Sequence, residues 1–182
     1  MASAARQREI YDTIFGGRLA PNGRLVRENF EDWFGASVTV DDVGLPRVFF
    51  HGTQIDFTAF KPGAHGMFFA EQASIAEPYS RLCLKKGTGL IMPVYLSIKR
   101  PWQLISYADD FPYSQMVDQS TETLIGMGYD GMFRPGDKVW IAFSPLQVKS
   151  AIGNSGIFDP LSDDMADIHG WDAAVERPRM RA

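Results

Sequence analysis

Two aromatic tripeptides separated by a glycine-bearing loop limit what this chain can fold into. Val48-Phe49-Phe50 runs into His51-Gly52-Thr53, and Met67-Phe68-Phe69 follows the loop Lys61-Pro62-Gly63-Ala64-His65-Gly66. Each tripeptide is too short for a stable helix and is rich in residues that suit a pleated surface, so both predict strands. Helical patterns before and after them alternate with further short strands, without the regular strand–helix–strand rhythm of a parallel α/β protein. The pattern predicts a mixed α+β domain.

Along the chain, Ala5–Phe15 reads as a helix with Ile10, Ile14 and Phe15 on its apolar side. Gly16-Gly17 stops it, and Pro21-Asn22-Gly23 marks a turn. Arg24–Phe34 reads as a second helix burying Leu25, Phe30, Trp33 and Phe34, so residues 1–45 are expected to be an N-terminal helical segment, a subdomain or lid. Gln72–Leu84 predicts a helix that bends or starts late at Pro78. Leu90–Ile98 predicts a long strand closed by Pro101, and Pro112–Met127 another helix. Gly131–Arg134 and Lys138–Phe143 read as strands joined by the turn Pro135-Gly136-Asp137, and Pro145–Ser150 as an edge strand. Residues 46–160 are expected to form the main domain and 161–182 a C-terminal tail, disordered at Glu176–Ala182.

The 182 residues suffice for one compact domain. Net charge is −4 and the pI about 5.3, so nothing favours an extended polynucleotide partner. Cys83 is the sole cysteine, which excludes an intramolecular disulfide and suits a reducing compartment. Met1–Phe15 has no apolar core of signal-peptide length, and no apolar run would span a bilayer. A protein without a membrane partner, working in a cytoplasm or delivered into a target cell's cytoplasm, is expected. His51, His65, His169 and Cys83 lack metal-ligand spacing, so no metal is expected. Asp163, Asp164 and Asp167 read as solvated acids before a cation site.

The chemistry concentrates in the two aromatic motifs. A histidine at a strand end can project into a cleft, and the glycine beside it lets a ligand approach the backbone. Gly66-Met67-Phe68-Phe69-Ala70, with Ala73, Ser74 and Ala76 before Tyr79, offers an aromatic wall that suits a flat, weakly polar ring. A phenylalanine-rich strand packed on a small-residue helix face is equally good core, and an aromatic-flanked histidine is ordinarily structural.

His51-Gly52-Thr53, then Gly66-Met67-Phe68-Phe69-Ala70 and Tyr79 without a gap, resembles the diphtheria-toxin/poly(ADP-ribose) polymerase clan of ADP-ribosyltransferases. Gly128-Tyr129-Asp130-Gly131-Met132, the run Ile141–Ala151 and Phe158-Asp159-Pro160 are similar to bacterial and phage ADP-ribosyltransferase domains found in large polyproteins. The resemblance implies an ADP-ribosyltransferase-like split β-sheet core with inserted helices. It implies NAD as substrate, an unknown macromolecular target, and a mono-ADP-ribosyltransferase acting as a bacterial or phage toxin or effector; the acidic pI favours a protein over a nucleic acid as that target. His51 is then expected to hydrogen-bond a ribose or the nicotinamide-proximal phosphodiester region and to orient NAD. The Gly52 backbone would pair with the nicotinamide amide, and Tyr79 would stack on its ring opposite Phe68. Thr53, Gly66, Phe69 and Gln147 complete the expected NAD-binding set. Phe68 lacks the hydroxyl of the tyrosine common in the family, and Ala76 replaces a frequent serine.

The departure that matters is at the family's glutamate, which aligns with Val139. Three readings stay open. Asp137, two residues away, shares the face of Val139 in a regular strand and substitutes as the third catalytic residue beside His51 and Tyr79, unless it is simply a solvated turn residue. A target's own carboxylate can replace the acid. Otherwise the domain is a catalytically inactive NAD/ADP-ribose-binding module, or an NAD glycohydrolase. Loss of the glutamate argues against chain elongation.

Overall fold

The computed structural model describes residues 4–81, 89–103 and 121–168. In it, α1 (Ala4–Phe15) and α2 (Val26–Phe34) precede β1 (Phe49–Thr53), β2 (Met67–Ala70), α3 (Ala73–Arg81), β3 (Leu90–Leu96) and β4 (Pro101–Gln103). Then come α4 (Thr121–Gly126), β5 (Gly131–Arg134), β6 (Val139–Ala142), a 3-10 turn (Pro145–Gln147) and β7 (Val148–Ser150). The strands form one seven-stranded mixed sheet in the order β4-β5-β6-β2-β1-β3-β7, and only the β4–β5 pair is parallel. Helices and a mixed sheet together give the expected α+β class.

The split lies between β1 and β2. Five residue pairs join β1 to β3 and four join β2 to β6, whereas β1 and β2 register through Phe50↔Ala70 alone. The two halves, β4-β5-β6-β2 and β1-β3-β7, therefore part immediately beyond that pair.

Side-chain alternation sorts the core onto two faces. Phe49, Phe69, Val94, Leu96, Trp140, Ala142 and Val148 lie on one, and Phe60 and Met165 pack over them. On the other face Tyr95 joins Tyr11, Val26, Phe30, Trp33, Phe34 and Phe158, while Met132 and Ile141 join Leu124 and Phe143. The N-terminal helices expected as a subdomain or lid thus share a continuous aromatic core with β3. Phe30 stacks on Phe34 at 5.0 Å and meets the Phe158 ring edge-on at 5.0 Å. Each such ring, fully buried, stabilises the fold by about 1.5–3 kcal/mol.

Several elements differ from expectation for non-local reasons. β1 continues through His51-Gly52-Thr53 because β3 pairs with all three residues. Val26, not the half-buried Leu25, is the first core residue of α2, which starts there after an extended Leu25. Pro101 opens β4 rather than closing β3, since a sheet edge tolerates its missing N–H. Pro78 sits inside α3. Pro145–Gln147 forms a 3-10 turn, and only residues 148–150 make the edge strand. Of the expected tail, residues 161–168 pack on the domain, with Met165 in its core and Asp164 and Asp167 buried. The expected Pro112–Met127 helix is described only from Thr121, and Leu84, Cys83, His169 and 176–182 lie outside the described residues.

α3 closes over β1 because position 52 has no side chain. A Cβ on Gly52 would stand 2.1 Å from the Ala76 carbonyl oxygen and 2.9 Å from the Ser80 nitrogen, both backbone atoms of the helix. Gly52→Ala should therefore lower stability by about 1–3 kcal/mol, as overpacking does, when urea unfolding is followed by circular dichroism. Gly126→Ala, where a Cβ meets nothing within 4 Å, should be neutral or slightly stabilising.

Candidate functional site

Where β1 and β2 separate, the His51 side chain bridges them. Its Nδ1 lies 2.9 Å from the Phe68 carbonyl oxygen. A carbonyl only accepts, so Nδ1 carries the proton and donates, and the neutral ring presents Nε2 as an acceptor. The imidazole is packed by the rings of Phe60, Phe69 and Phe57 at centroid distances of 4.9, 5.6 and 6.1 Å. Burial lowers its pKa below 6.5, opposed in part by the hydrogen bond to Phe68. At neutral pH the ring is therefore uncharged.

A cleft of about 740 Å³ straddles the split, within the range of ordinary ligand sites. Its wall brings together His51, Gly52, Gly66, Phe68, Phe69 and Tyr79, six of the eight residues expected at the nucleotide, with Asp137 and Val139 beside them. Phe68 and Tyr79 are 40% and 60% exposed, so both aromatic faces stand open to an incoming ring. Phe68 projects on the sheet face opposite its buried neighbours Met67 and Phe69, and Tyr79 comes from α3 above the same face. Gly66 adopts a positive φ of 80°, and a Cβ there would lie 2.7 Å from the Ala142 carbonyl oxygen, so this turn accepts only glycine.

Two expected residues stand elsewhere. Thr53 is absent from the wall, and its hydroxyl donates to the Ile55 carbonyl at 3.0 Å, turning the chain out of β1. Gln147 is fully committed to structure. Its Oε1 accepts from the Phe143 and Ser144 nitrogens, and its Nε2 donates to the Ser97 and Asp130 carbonyls. With Ser144 it forms a capping box, a role that Ser144-x-x-Gln147 signals in the sequence.

Asp137 reaches the cleft by a different route from the regular strand expected. It lies in the β5–β6 turn, where Lys138 takes a left-handed φ of 54°, and still lines the cavity with Val139. Arg134, buried in the same wall, holds the Asp137 Oδ2. The other carboxylate oxygen, Oδ1, is buried and has no hydrogen-bond partner among the described residues. The wall also contains Ile55, Phe57, Phe60, Lys61 and Arg134, which sequence reasoning missed. Position 134 was legible in part, since it alternates with buried Met132 on β5 and pairs directly with Val139.

Of the three acids near the end, Asp163 is exposed as expected, whereas Asp164 and Asp167 are buried around a cation that is a side chain. Lys149 Nζ lies 2.6 Å from Asp167 Oδ1, and both side chains are buried. No group of three or more His, Cys, Asp or Glu side chains among the described residues is arranged to hold a metal ion.

The depressed pKa of His51 fixes a pH dependence. The unfolded chain binds this proton more readily than the folded one, so His51 supports the fold fully above pH 6.5. That contribution declines as pH falls from 6.5 through the folded-state value. An NMR titration should show the His51 midpoint below 6.5, and His51→Gln should flatten the corresponding part of the stability profile. A midpoint at or above 6.5 would contradict the packing described.

Comparison with known families covers the same stretch of chain. The family model described as ADP-ribosyltransferase in polyvalent proteins matches residues 41–158. That span includes every residue of the cleft. No curated protein matches the chain. The match covers well over half of the 182 residues, and the chain belongs to the family of ADP-ribosyltransferases in polyvalent proteins.

Proposed function

We propose that the protein transfers a single ADP-ribose from NAD to a macromolecular target. The carrying observation is the convergence of His51, Phe68, Tyr79 and Asp137 on one cleft. In this reading the neutral His51 accepts a hydrogen bond from a ribose hydroxyl through Nε2. The nicotinamide ring lies between Phe68 and Tyr79, where offset stacking on each face favours it. The backbone of Gly52 meets its amide.

The reaction breaks the N-glycosidic bond. Nicotinamide leaves with the bonding electrons, and the ribose carbon becomes oxocarbenium-like. Asp137 Oδ1 supplies negative charge to that centre, while Arg134 fixes the other carboxylate oxygen. The target's nucleophile attacks the same carbon and passes its proton to the carboxylate. Val139 stands where the resemblance implies the family's glutamate, and the loss of that glutamate argues against chain elongation. Mono-transfer follows.

The net charge of −4 favours a protein target over an extended polynucleotide. No helix among the described residues is long and apolar enough to cross a membrane, and the reading places the enzyme in a cytoplasm, its own or a target cell's, as a bacterial or phage toxin or effector. The apolar Val139 side chain supports a second reading, a module that binds NAD or ADP-ribose without turnover.

Incubation with labelled NAD and a cell lysate decides between them. Transfer predicts labelled macromolecule and released nicotinamide, both lost in His51→Ala. Nicotinamide release without label would indicate a glycohydrolase, and NAD binding with neither product would establish the binding module. Asp137→Ala should slow transfer by about 100-fold, the order expected for losing a charge-stabilising group, and an unchanged rate would remove Asp137 from the mechanism.

A further inference from the structure

The most demanding buried group outside the cleft is the ammonium of Lys149, which has no solvent exposure. An ammonium has three donors, and each is met inside the protein. Nζ donates to the Ser162 carbonyl at 3.0 Å, the Asp164 carbonyl at 3.0 Å and Asp167 Oδ1 at 2.6 Å. Asp167 Oδ2 in turn accepts from Asn154 Nδ2 and the Asp159 nitrogen. Asp164 Oδ1 and Oδ2 accept from the Ala166 and Ile168 nitrogens. One cation on the edge strand β7 thus organises residues 159–168 into a fixed shape.

That shape is transmitted to the cleft. The Met165 nitrogen donates to the Thr58 carbonyl at 2.8 Å, and Ala59 bridges Asp164 in antiparallel fashion. Thr58 and Ala59 sit between Phe57 and Phe60, whose rings meet edge-on at 4.7 Å and both pack on His51. The same residues lie in the loop that joins the two halves of the split sheet. The clamped segment lies beyond the span that the family model matches.

We infer that residues 159–168, clamped by Lys149, form the back support of the nucleotide cleft, with Lys149 and Asp167 acting as positioning residues that hold the aromatic wall against His51. The link to nucleotide binding rests on the proposed function, whereas the link to His51 does not.

The test uses Lys149→Met in the full chain, with NAD affinity measured by calorimetry and the His51 titration midpoint by NMR. The folded variant should bind NAD roughly tenfold more weakly, and its His51 midpoint should move up toward that of a free imidazole as the wall loosens. Val26→Ala, which opens the separate aromatic core, should leave the midpoint where it is. Should Lys149→Met fail to fold, Lys149→Met with Asp167→Asn leaves no unpaired buried charge and replaces it. An unchanged His51 midpoint in a folded variant, or an equal movement in Val26→Ala, overturns the inference. Absence of NAD binding by the unaltered protein overturns the proposed function, and the His51 titration then still decides the positioning role.

Discussion

The hydrogen bond from His51 to the Phe68 carbonyl closes a gap that the sheet itself leaves open. β1 and β2 pair once, at Phe50↔Ala70, and then diverge. Divergence strips backbone groups of ladder partners, which is costly wherever water is excluded. A side chain from one strand satisfies the carbonyl of the other, so the sheet can open into a cleft without leaving that group orphaned. The net gain of such a bond is only about 0.5–1.5 kcal/mol. Its larger effect is on chemistry, because it fixes the tautomer and leaves Nε2 as the face offered to a ligand. Burial among Phe57, Phe60 and Phe69 keeps the ring neutral in that role.

Everything else positions the two lips of this opening. On one face α3 descends onto β1, and Gly52 permits the approach by having no Cβ. On the other, the loop from Phe57 to Phe60 and the segment around Met165 cover the main core. The helices α1 and α2 anchor the β3 side through an aromatic cluster that also recruits Phe158. A cleft with mobile lips would bind a dinucleotide poorly, since ordering them would offset much of the contact energy.

How much of this was legible in the sequence depends on how local the cause is. Phe49-Phe50, Met67–Ala70 and the β5–turn–β6 hairpin were readable because apolar runs and the Pro135-Gly136 turn act within a few residues. The family likeness of His51-Gly52 and Gly66–Tyr79 placed most of the cleft wall. What could not be read came from distant partners. Strand β1 extends through His51 because β3 pairs with it, and Asp164 and Asp167 are buried because Lys149 reaches them. Phe57 and Phe60 line the site because residues 164 and 165 hold their loop in place. Gln147 is the exception, since its capping-box spacing with Ser144 was visible and simply pointed to structure rather than to a ligand.

The strand order has a consequence for synthesis. β2 is completed by β6, whose residues are made about seventy positions later by direct count along the sequence, and β7 returns to close the edge beside β3. Non-local pairing of this kind delays folding until the distant partner has appeared. A ribosome-bound chain that stops short of Asp137 has neither that carboxylate nor strand β6, and one that stops short of Met165 has no support behind Phe60. The pocket is therefore completed only once residues 137–165 have followed the two motif strands. Nascent or truncated fragments are left without it.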